Sequence, residues 1–392
     1  MGFLSGSVTF ERYRITDDPT GLFGEEHIGE LSNRKINSRG KNLLETPCTG
    51  FVGGAHLFDT KFSIEKNVIG EALHFGIRFD SCQIPGPIKQ AWMHMELAGI
   101  MPDDQSGRPS KAQREEAKEA VEALCVAEAK KGNYMKMAVT PVLWDSKSET
   151  LFLGSSSEKS NDACLSLLNE TFGLEFSRVT SGKLALEFAE STERTEAVYD
   201  ATPSTFSPEG GGSVVWWNGM QDNYDYLGNE FLLWLWWNWE TNGELIELSD
   251  GTEVTGMFAR SLNLDCPQGE NGKESISSDS PVALPEAMLA IQMGKLPRKA
   301  GLTLVRNNEQ FDLNLQAELF TVGSARISQI GGDANSRELS DRIESVRNLS
   351  ETLDLLFDVF CDVRFGKSWN SNFKRISEWL AKPGNRRKSR AA

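Results

Sequence analysis

The residue types that most often carry catalysis are scattered along this chain. Four histidines, His27, His56, His74 and His94, lack the i, i+4 spacing with which a helix presents two metal ligands. The glycine run at 210–212 is not followed by the Lys-Ser/Thr pair that a phosphate-binding loop needs. Neither a nucleophile elbow nor a dinucleotide fingerprint occurs. The sequence therefore predicts no catalytic residue, metal or cofactor, and a protein that is not an enzyme.

Acidic and sulfur-containing residues do not change this prediction. A metal-dependent nuclease needs clustered carboxylates, and Asp222 with Asp225 forms a short acidic pair. Among 56 acidic residues such a pair is expected by chance, so the sequence gives little support for a nuclease. No C-x-x-C pair occurs, and we expect reduced, mostly buried thiols. The six cysteines are Cys48, Cys82, Cys125, Cys164, Cys266 and Cys361.

Local groups of cations are the positive features of the sequence. One lies in a polar segment at 32–41, a second on a helix that begins after Ser110, a third near its end, and a fourth at 295–299. Each group fits either ordinary solvated charge or contact with phosphate. The candidate DNA-binding residues are Lys111, Arg114, Lys118, Lys130, Lys131, Lys136, Lys295, Arg298 and Lys299.

The clearest predicted element is the helix that carries several of these cations. Ser110 is a favourable N-cap, and Gln113 completes a capping box. Lys130, Lys131 and Gly132 suit its C-terminal end. The apolar positions that predict its buried stripe are Ala117, Ala120, Val121 and Leu124.

The other patterns predict an α+β fold. Strands at 139–144 and 150–153 lie between helices. The apolar run at 231–239 fits either a buried helix or a strand covered on both faces; we favour the helix, and either of them over an exposed aromatic platform for bases. Asp250-Gly251 and Asn307-Asn308 indicate hairpin turns, and 268–280 is predicted to be a polar loop. We expect a multi-lobed, elongated body of antiparallel sheets with packed helices and a C-terminal helical segment. The predicted divisions are an α+β region at 1–190, a linker or long loop at 191–213, a second α+β region at 214–330, a helical region at 335–381 and a basic disordered tail at 382–392.

The net charge of −15 excludes a protein coated in basic charge, but it does not exclude a local basic surface. No run approaches the ~20 apolar residues of a membrane span, and no basic region precedes the apolar residues near Met1. We therefore expect a cytoplasmic protein without a membrane partner.

The order of several motifs resembles the recombination-associated RdgC family. The similarity extends in order over roughly residues 1–330, and no single motif is diagnostic by itself. The similar stretches are TPCTGFVG at 46–53, Ile77-Arg78 with Ile84-Pro85, PIKQA at 87–91, the charged helix at 111–124, PVLWD at 141–145, the helix at 156–173, Met293-Gly-Lys295, and 300–304.

The resemblance implies a ring-shaped homodimer that binds single- and double-stranded DNA without sequence preference and modulates recombinase loading. It implies association with the nucleoid and places Tyr134 at the dimer contact. An acidic exterior around a basic hole would agree with the net charge. The alternative is a protein-interaction module that regulates recombination or a phage–host process without touching DNA; the acidic balance and the tryptophan-rich segment support it.

Overall fold

The computed structural model describes residues 2–16, 21–38, 43–100, 108–206, 223–266, 272–330 and 338–381. Within them the chain has an α+β fold with one large antiparallel sheet, as the sequence predicts. The strands are β1 (Val8–Ile15), β2 (Cys48–Val52), β3 (Val68–Ile69), β4 (Ala72–Cys82), β5 (Met135–Asp145), β6 (Thr150–Leu153), β7 (Phe176–Arg178), β8 (Leu245–Glu247), β9 (Glu253–Asp265), β10 (Lys273–Ser278), β11 (Leu296–Arg306), β12 (Glu309–Gln316) and β13 (Val322–Gln329).

Helices cover parts of this sheet and one pair of them extends from it. None of the helices in the described ranges is long and apolar enough to cross a membrane. The helices are α1 (Glu25–Asn33), α2 (Ile64–Asn67), α3 (Gly86–Ile100), α4 (Lys111–Lys130), α5 (Glu158–Phe172), α6 (Ser181–Ser191), α7 (Thr195–Tyr199), α8 (Leu227–Thr241), α9 (Pro285–Gln292), α10 (Leu339–Arg364) and α11 (Trp369–Leu380).

The sheet has two halves that share β1. Its order is β10-β9-β11-β12-β13-β1-β6-β5-β4-β2, with β3, β7 and β8 pairing at the sides. The first residues of β1 pair with β13, while Glu11 to Arg14 pair with β6. The strands of the predicted region at 1–190 thus form one half, those of the region at 214–330 form the other, and the backbone ladder is continuous between them.

The main core lies between the second half of the sheet and the helices α8 and α10. The tryptophan-rich helix α8 is buried nearly all round, which confirms the predicted buried helix. Its Phe231 packs on Phe320, Phe357 and Phe360, with ring centroids 5.3–5.8 Å apart. The tryptophans of α8 are therefore core residues and provide no exposed stacking platform.

Helices α3 and α4 form a helical arm that contacts the body at its base. Ile88 and Trp92 of α3 and Val121 and Cys125 of α4 pack there on β2, β4 and β5, near one edge of the sheet. Ser110 and Gln113 form the predicted capping box. The buried stripe differs from the prediction, because Cys125 faces inward while Leu124 is 37% exposed and Ala120 is half-buried.

Two other predictions need correction, and a third is confirmed in finer detail. The stretch 268–280, predicted to be a polar loop, contains strand β10, which pairs with β9 along its whole length. The predicted linker at 191–213 contains helix α7, and Phe206 is buried beside Trp369 and Phe373. The C-terminal helical segment is two helices, α10 and α11. The predicted tail at 382–392 lies outside the described residues.

Candidate nucleic-acid interface

The predicted DNA-binding residues fall into two separate groups. Lys111 to Lys136 belong to the helical arm and the start of β5, whereas Lys295, Arg298 and Lys299 lie at the start of β11. Five strand spacings separate β5 from β11 in the sheet order. At about 4.8 Å for each spacing, the two groups lie roughly 24 Å apart along the sheet. A single chain therefore does not gather all nine cations on one surface.

The arm carries cations and carboxylates together. Lys111, Arg114, Lys118 and Lys130 are exposed on α4, but so are the neighbouring glutamates Glu115, Glu119 and Glu122. Lys131 forms an ion pair with Glu128 at 2.7 Å, and the Lys136 ammonium donates to the Gln83 side chain at 2.7 Å. Opposite charges at this spacing offset each other in solution, so the arm has no strong surplus of positive charge.

Tyr134 lies between the arm and β5 in a left-handed backbone conformation, with φ of 61°. Its ring is half-buried and meets Trp92 edge-on, with centroids 6.4 Å apart. The side chain thus packs within the fold and keeps a partly exposed surface. Its role in a dimer contact stays a prediction.

Lys295 is not available to bind DNA. It is 5% exposed, and its ammonium forms an ion pair with Glu274 of β10 at 2.7 Å. The sequence-based assignment of this residue to a DNA-binding surface is corrected here. The position was misjudged because Glu274 belongs to a strand that was predicted to be a loop.

Arg298 of β11 connects β9 and α8 through two carboxylates. Its guanidinium meets Asp265 at 2.9 Å and Glu318 at 3.1 Å, and Asn229 of α8 donates to the same Glu318 oxygen at 3.0 Å. Burial lowers the pKa of Arg298, but the two carboxylates outweigh burial and raise that pKa. Burial raises the pKa of Glu318 despite its hydrogen bonds. The network orients Arg298 at the surface, where it is about one-third exposed.

The exposed side of strands β9 to β13, which we term the open face, presents polar side chains in rows. Alternation places Ala300, Leu302 and Leu304 of β11 in the core and Lys299 outward. A register shift at Arg298 brings it beside Lys299 on the same side. The two line a pocket of about 230 Å³, completed by Asn263, Asp265, Lys273, Ser275 and Gln316.

Two further arginines lie farther along the open face, at Asp312. Arg326 of β13 lies directly across from Asp312 of β12, and Arg260 of β9 pairs with the same carboxylate at 3.4 Å. Arg260 has a left-handed φ of 67° at an irregularity in β9. Gly301 makes room for that irregularity, because a Cβ there would lie 2.0 Å from the Ala259 carbonyl oxygen.

The three cations that line the pocket and the two further arginines form what we term the cationic patch. It sets five cations against the carboxylates of Asp265, Asp312 and Glu318 on a chain whose net charge is −15. Among the described residues Lys299 has no ion-pair partner. Glu247 and Glu253 face each other at the far end of β8 and β9, so the open face beyond the patch carries carboxylates. The patch consists of Arg260, Lys273, Arg298, Lys299 and Arg326.

Sequence reasoning found Arg298 and Lys299 but missed the other three members. Lys273 was assigned to a loop, β13 was not predicted, and Arg260 depends on an irregularity in β9. A polar–apolar alternation at 309–316 and 322–327 was the available signal. In the described residues no group of histidines, cysteines and carboxylates is placed to hold a metal ion.

The fold and the patch define an α+β protein with a solvated, locally cationic sheet face. Comparison of the sequence with protein-family models and with curated proteins finds no match.

Proposed function

We propose that this protein binds DNA without reading its sequence and acts as a non-enzymatic homodimer. The cationic patch carries the proposal, because it concentrates positive charge on a surface whose opposite side is committed to the core. Lysine and arginine contacts to phosphate supply affinity that does not depend on base identity. The resemblance to the RdgC family adds a ring-shaped dimer, nucleoid association and control of a recombinase's access to DNA.

The uncharged residues of the patch support the same function. Ser275, Asn263, Lys299 and Gln316 are successive cross-strand neighbours, so they form one row of hydroxyl, amide and ammonium groups. Such groups donate to phosphate oxygens without sequence information. The neighbouring row contains Ser261, whose hydroxyl donates to Asn314 at 2.8 Å.

The test is a charge reversal on the patch. Lys273→Glu with Lys299→Glu changes two exposed lysines and leaves Arg298 and the buried Lys295 in place. Lys273 also pairs with Asp265 at 3.3 Å, so this variant removes one cation from the carboxylate that holds Arg298. Loss of two phosphate contacts should weaken binding to all duplex sequences alike and reduce the slope of log K against log salt by about 2. Fluorescence anisotropy with labelled duplexes between about 50 and 200 mM salt measures both quantities.

The matched control is Lys159→Glu with Lys374→Glu, which makes the same change in net charge at exposed positions on α5 and α11. It should leave the slope nearly unchanged. If patch and control variants behave alike, the open face is not the interface. If the unaltered protein does not bind duplex at low salt, the proposed function is wrong.

The dimer is tested separately by sedimentation. Tyr134→Gly removes the ring and its contact with Trp92 but suits the left-handed backbone, so it leaves the backbone conformation unstrained. We expect a dimer for the unaltered chain and a shift towards monomer for the variant. A monomeric unaltered chain would refute the dimer, and an unshifted variant would remove Tyr134 from the contact.

A further inference from the structure

A second surface feature lies in the other half of the sheet, on the loop that follows β2. Phe58 is 64% exposed there, although the loop around it is held firmly. The Gly53 amide donates to the Asp59 carbonyl at 2.7 Å, and the Asp59 amide donates to the His56 carbonyl at 3.0 Å. The Phe58 amide donates to Nδ1 of His56 at 3.2 Å. An exposed aromatic ring is therefore presented on an ordered backbone.

The Asp59 carboxylate is the centre of this loop. Its two oxygens accept from the Ala55 amide at 3.1 Å and the Lys61 amide at 3.2 Å, and it also pairs with Lys66. Burial raises the pKa of Asp59, but these hydrogen bonds outweigh burial and lower that pKa. The carboxylate is therefore charged near neutral pH and holds these loop contacts. The conformation of Phe58 is thus fixed before any ligand arrives.

Arg78 supports the Phe58 ring from the sheet. Its guanidinium carbon lies 5.7 Å from the ring centroid, and the guanidinium is itself fixed by two hydrogen bonds to the buried Asp80, at 2.7 and 2.6 Å. A third bond, at 3.2 Å, joins it to the Leu57 carbonyl of the same loop. The guanidinium therefore fixes both the ring and the backbone beside it.

The groups around Phe58 suit an anionic ligand with a flat ring. His56 and Lys61 are exposed on the same loop. Since Nδ1 of His56 accepts from the Phe58 amide, the neutral imidazole carries its proton on Nε2 and offers a donor to solvent. An aromatic face with donors beside it is the combination that binds a single strand by base stacking and phosphate contact.

From this geometry we propose that Phe58 is a stacking site for an unpaired nucleobase, with His56 and Lys61 contacting the adjacent phosphates. The proposal rests on the DNA-binding function and adds a single-strand contact distinct from the cationic patch. In the sheet order six strand spacings separate β4, which carries Arg78, from β11. That is about 29 Å along the sheet, so changes at the two surfaces should act independently.

The test compares an oligothymidine with a duplex of the same length by fluorescence anisotropy. Phe58→Ala should weaken oligothymidine binding about 5- to 150-fold and leave duplex binding unchanged, because a paired base cannot stack on the ring. Its salt slope for oligothymidine should also stay unchanged, since stacking releases no counterions. Phe58→Trp should bind like the unaltered protein. Tyr199→Ala, which removes another aromatic ring that is 58% exposed, is the matched control and should have no effect.

The following results with Phe58→Ala and its control would refute the stacking site. Unchanged oligothymidine binding by Phe58→Ala would show that the ring contacts no base. An equal loss for oligothymidine and duplex, or an equal loss in Tyr199→Ala, would show that the effect is not stacking at Phe58. Duplex binding that still responds to Lys273→Glu with Lys299→Glu would keep the DNA-binding function intact in each of these cases. Absence of both duplex and oligothymidine binding would refute both proposals.

Discussion

The pair of Arg364 and Glu230 allows a sharp test of how charge is buried in this fold. The two side chains join α10 to α8 at 2.7 Å and are 8% and 2% exposed. Glu230 also accepts from the Ser204 amide at 2.7 Å, and Arg364 donates to the Thr202 carbonyl at 2.8 Å. The pair therefore fixes the segment before α8 as well as the two helices.

Arg364→Met removes one partner and leaves the Glu230 carboxylate buried without its counter-charge. Breaking a buried pair in this way costs about 3–5 kcal/mol. With a denaturant dependence of about 3 kcal/mol per M, the urea midpoint should fall by about 1–1.7 M. Adding Glu230→Gln removes the uncompensated charge and keeps an acceptor for Ser204. The double variant should therefore be more stable than Arg364→Met alone.

Arg194 and Asp362 provide the matched control. This pair also involves α10 and has a similar length, 2.8 Å, but its side chains are 37% and 64% exposed. Arg194→Met should cost no more than about 1 kcal/mol. Urea unfolding followed by tryptophan fluorescence measures all three variants. If Arg364→Met costs no more than Arg194→Met, or if Glu230→Gln adds to its cost, the burial argument is wrong.

Two other predictions concern pH and packing. Burial, with Asp354 and Glu187 nearby, raises the pKa of Asp358 from 3.8 to about 7, so the native state loses stability as pH rises from about 4 through 7. Asp358→Asn should therefore have a higher urea midpoint than the unaltered chain at about pH 8 and a similar one at about pH 4; an equal difference at both pH values would contradict this. Gly228→Ala should destabilise the protein, because its Cβ would lie 2.0 Å from the Ala317 carbonyl oxygen, whereas Gly99→Ala, with open space around it, should stabilise α3 by up to about 1 kcal/mol. Thermal unfolding compares the two, and equal shifts would refute the packing reason.

Features that depend on neighbouring residues could be predicted from the sequence. The capping box of α4 involves Ser110 and Gln113, three residues apart, and both of its hydrogen bonds form. The hairpin turn at Asn307 and Asn308 has φ of 50° and 63°, as a tight turn requires. Helix α8 could be predicted because its run at 231–239 is apolar on all sides, whereas a surface helix has one polar face.

Features that depend on distant partners could not be predicted. Strand β10, KESISS, contains one apolar residue, Ile276, and pairs at the sheet edge, so its pattern resembles a polar loop. Because β10 was missed, neither the ion pair of Lys295 with Glu274 nor the exposure of Lys273 could be inferred. Arg306 likewise has its partner Glu351 on α10, 45 residues away, and no local pattern shows such a contact.

Arginine has two opposite uses in this protein, which is why counting cations along the chain was a weak guide to its surface. Arg12, Arg78 and Arg364 are buried and neutralise carboxylates inside the fold. Each such pair takes one cation and one anion away from the surface, so the net charge of the remaining surface residues stays equal to that of the whole chain. A cationic patch then depends on local imbalance alone. Strand alternation and the register shifts beside Arg260 and Arg298 provide that imbalance, because they direct more cations than carboxylates to the same side of the sheet.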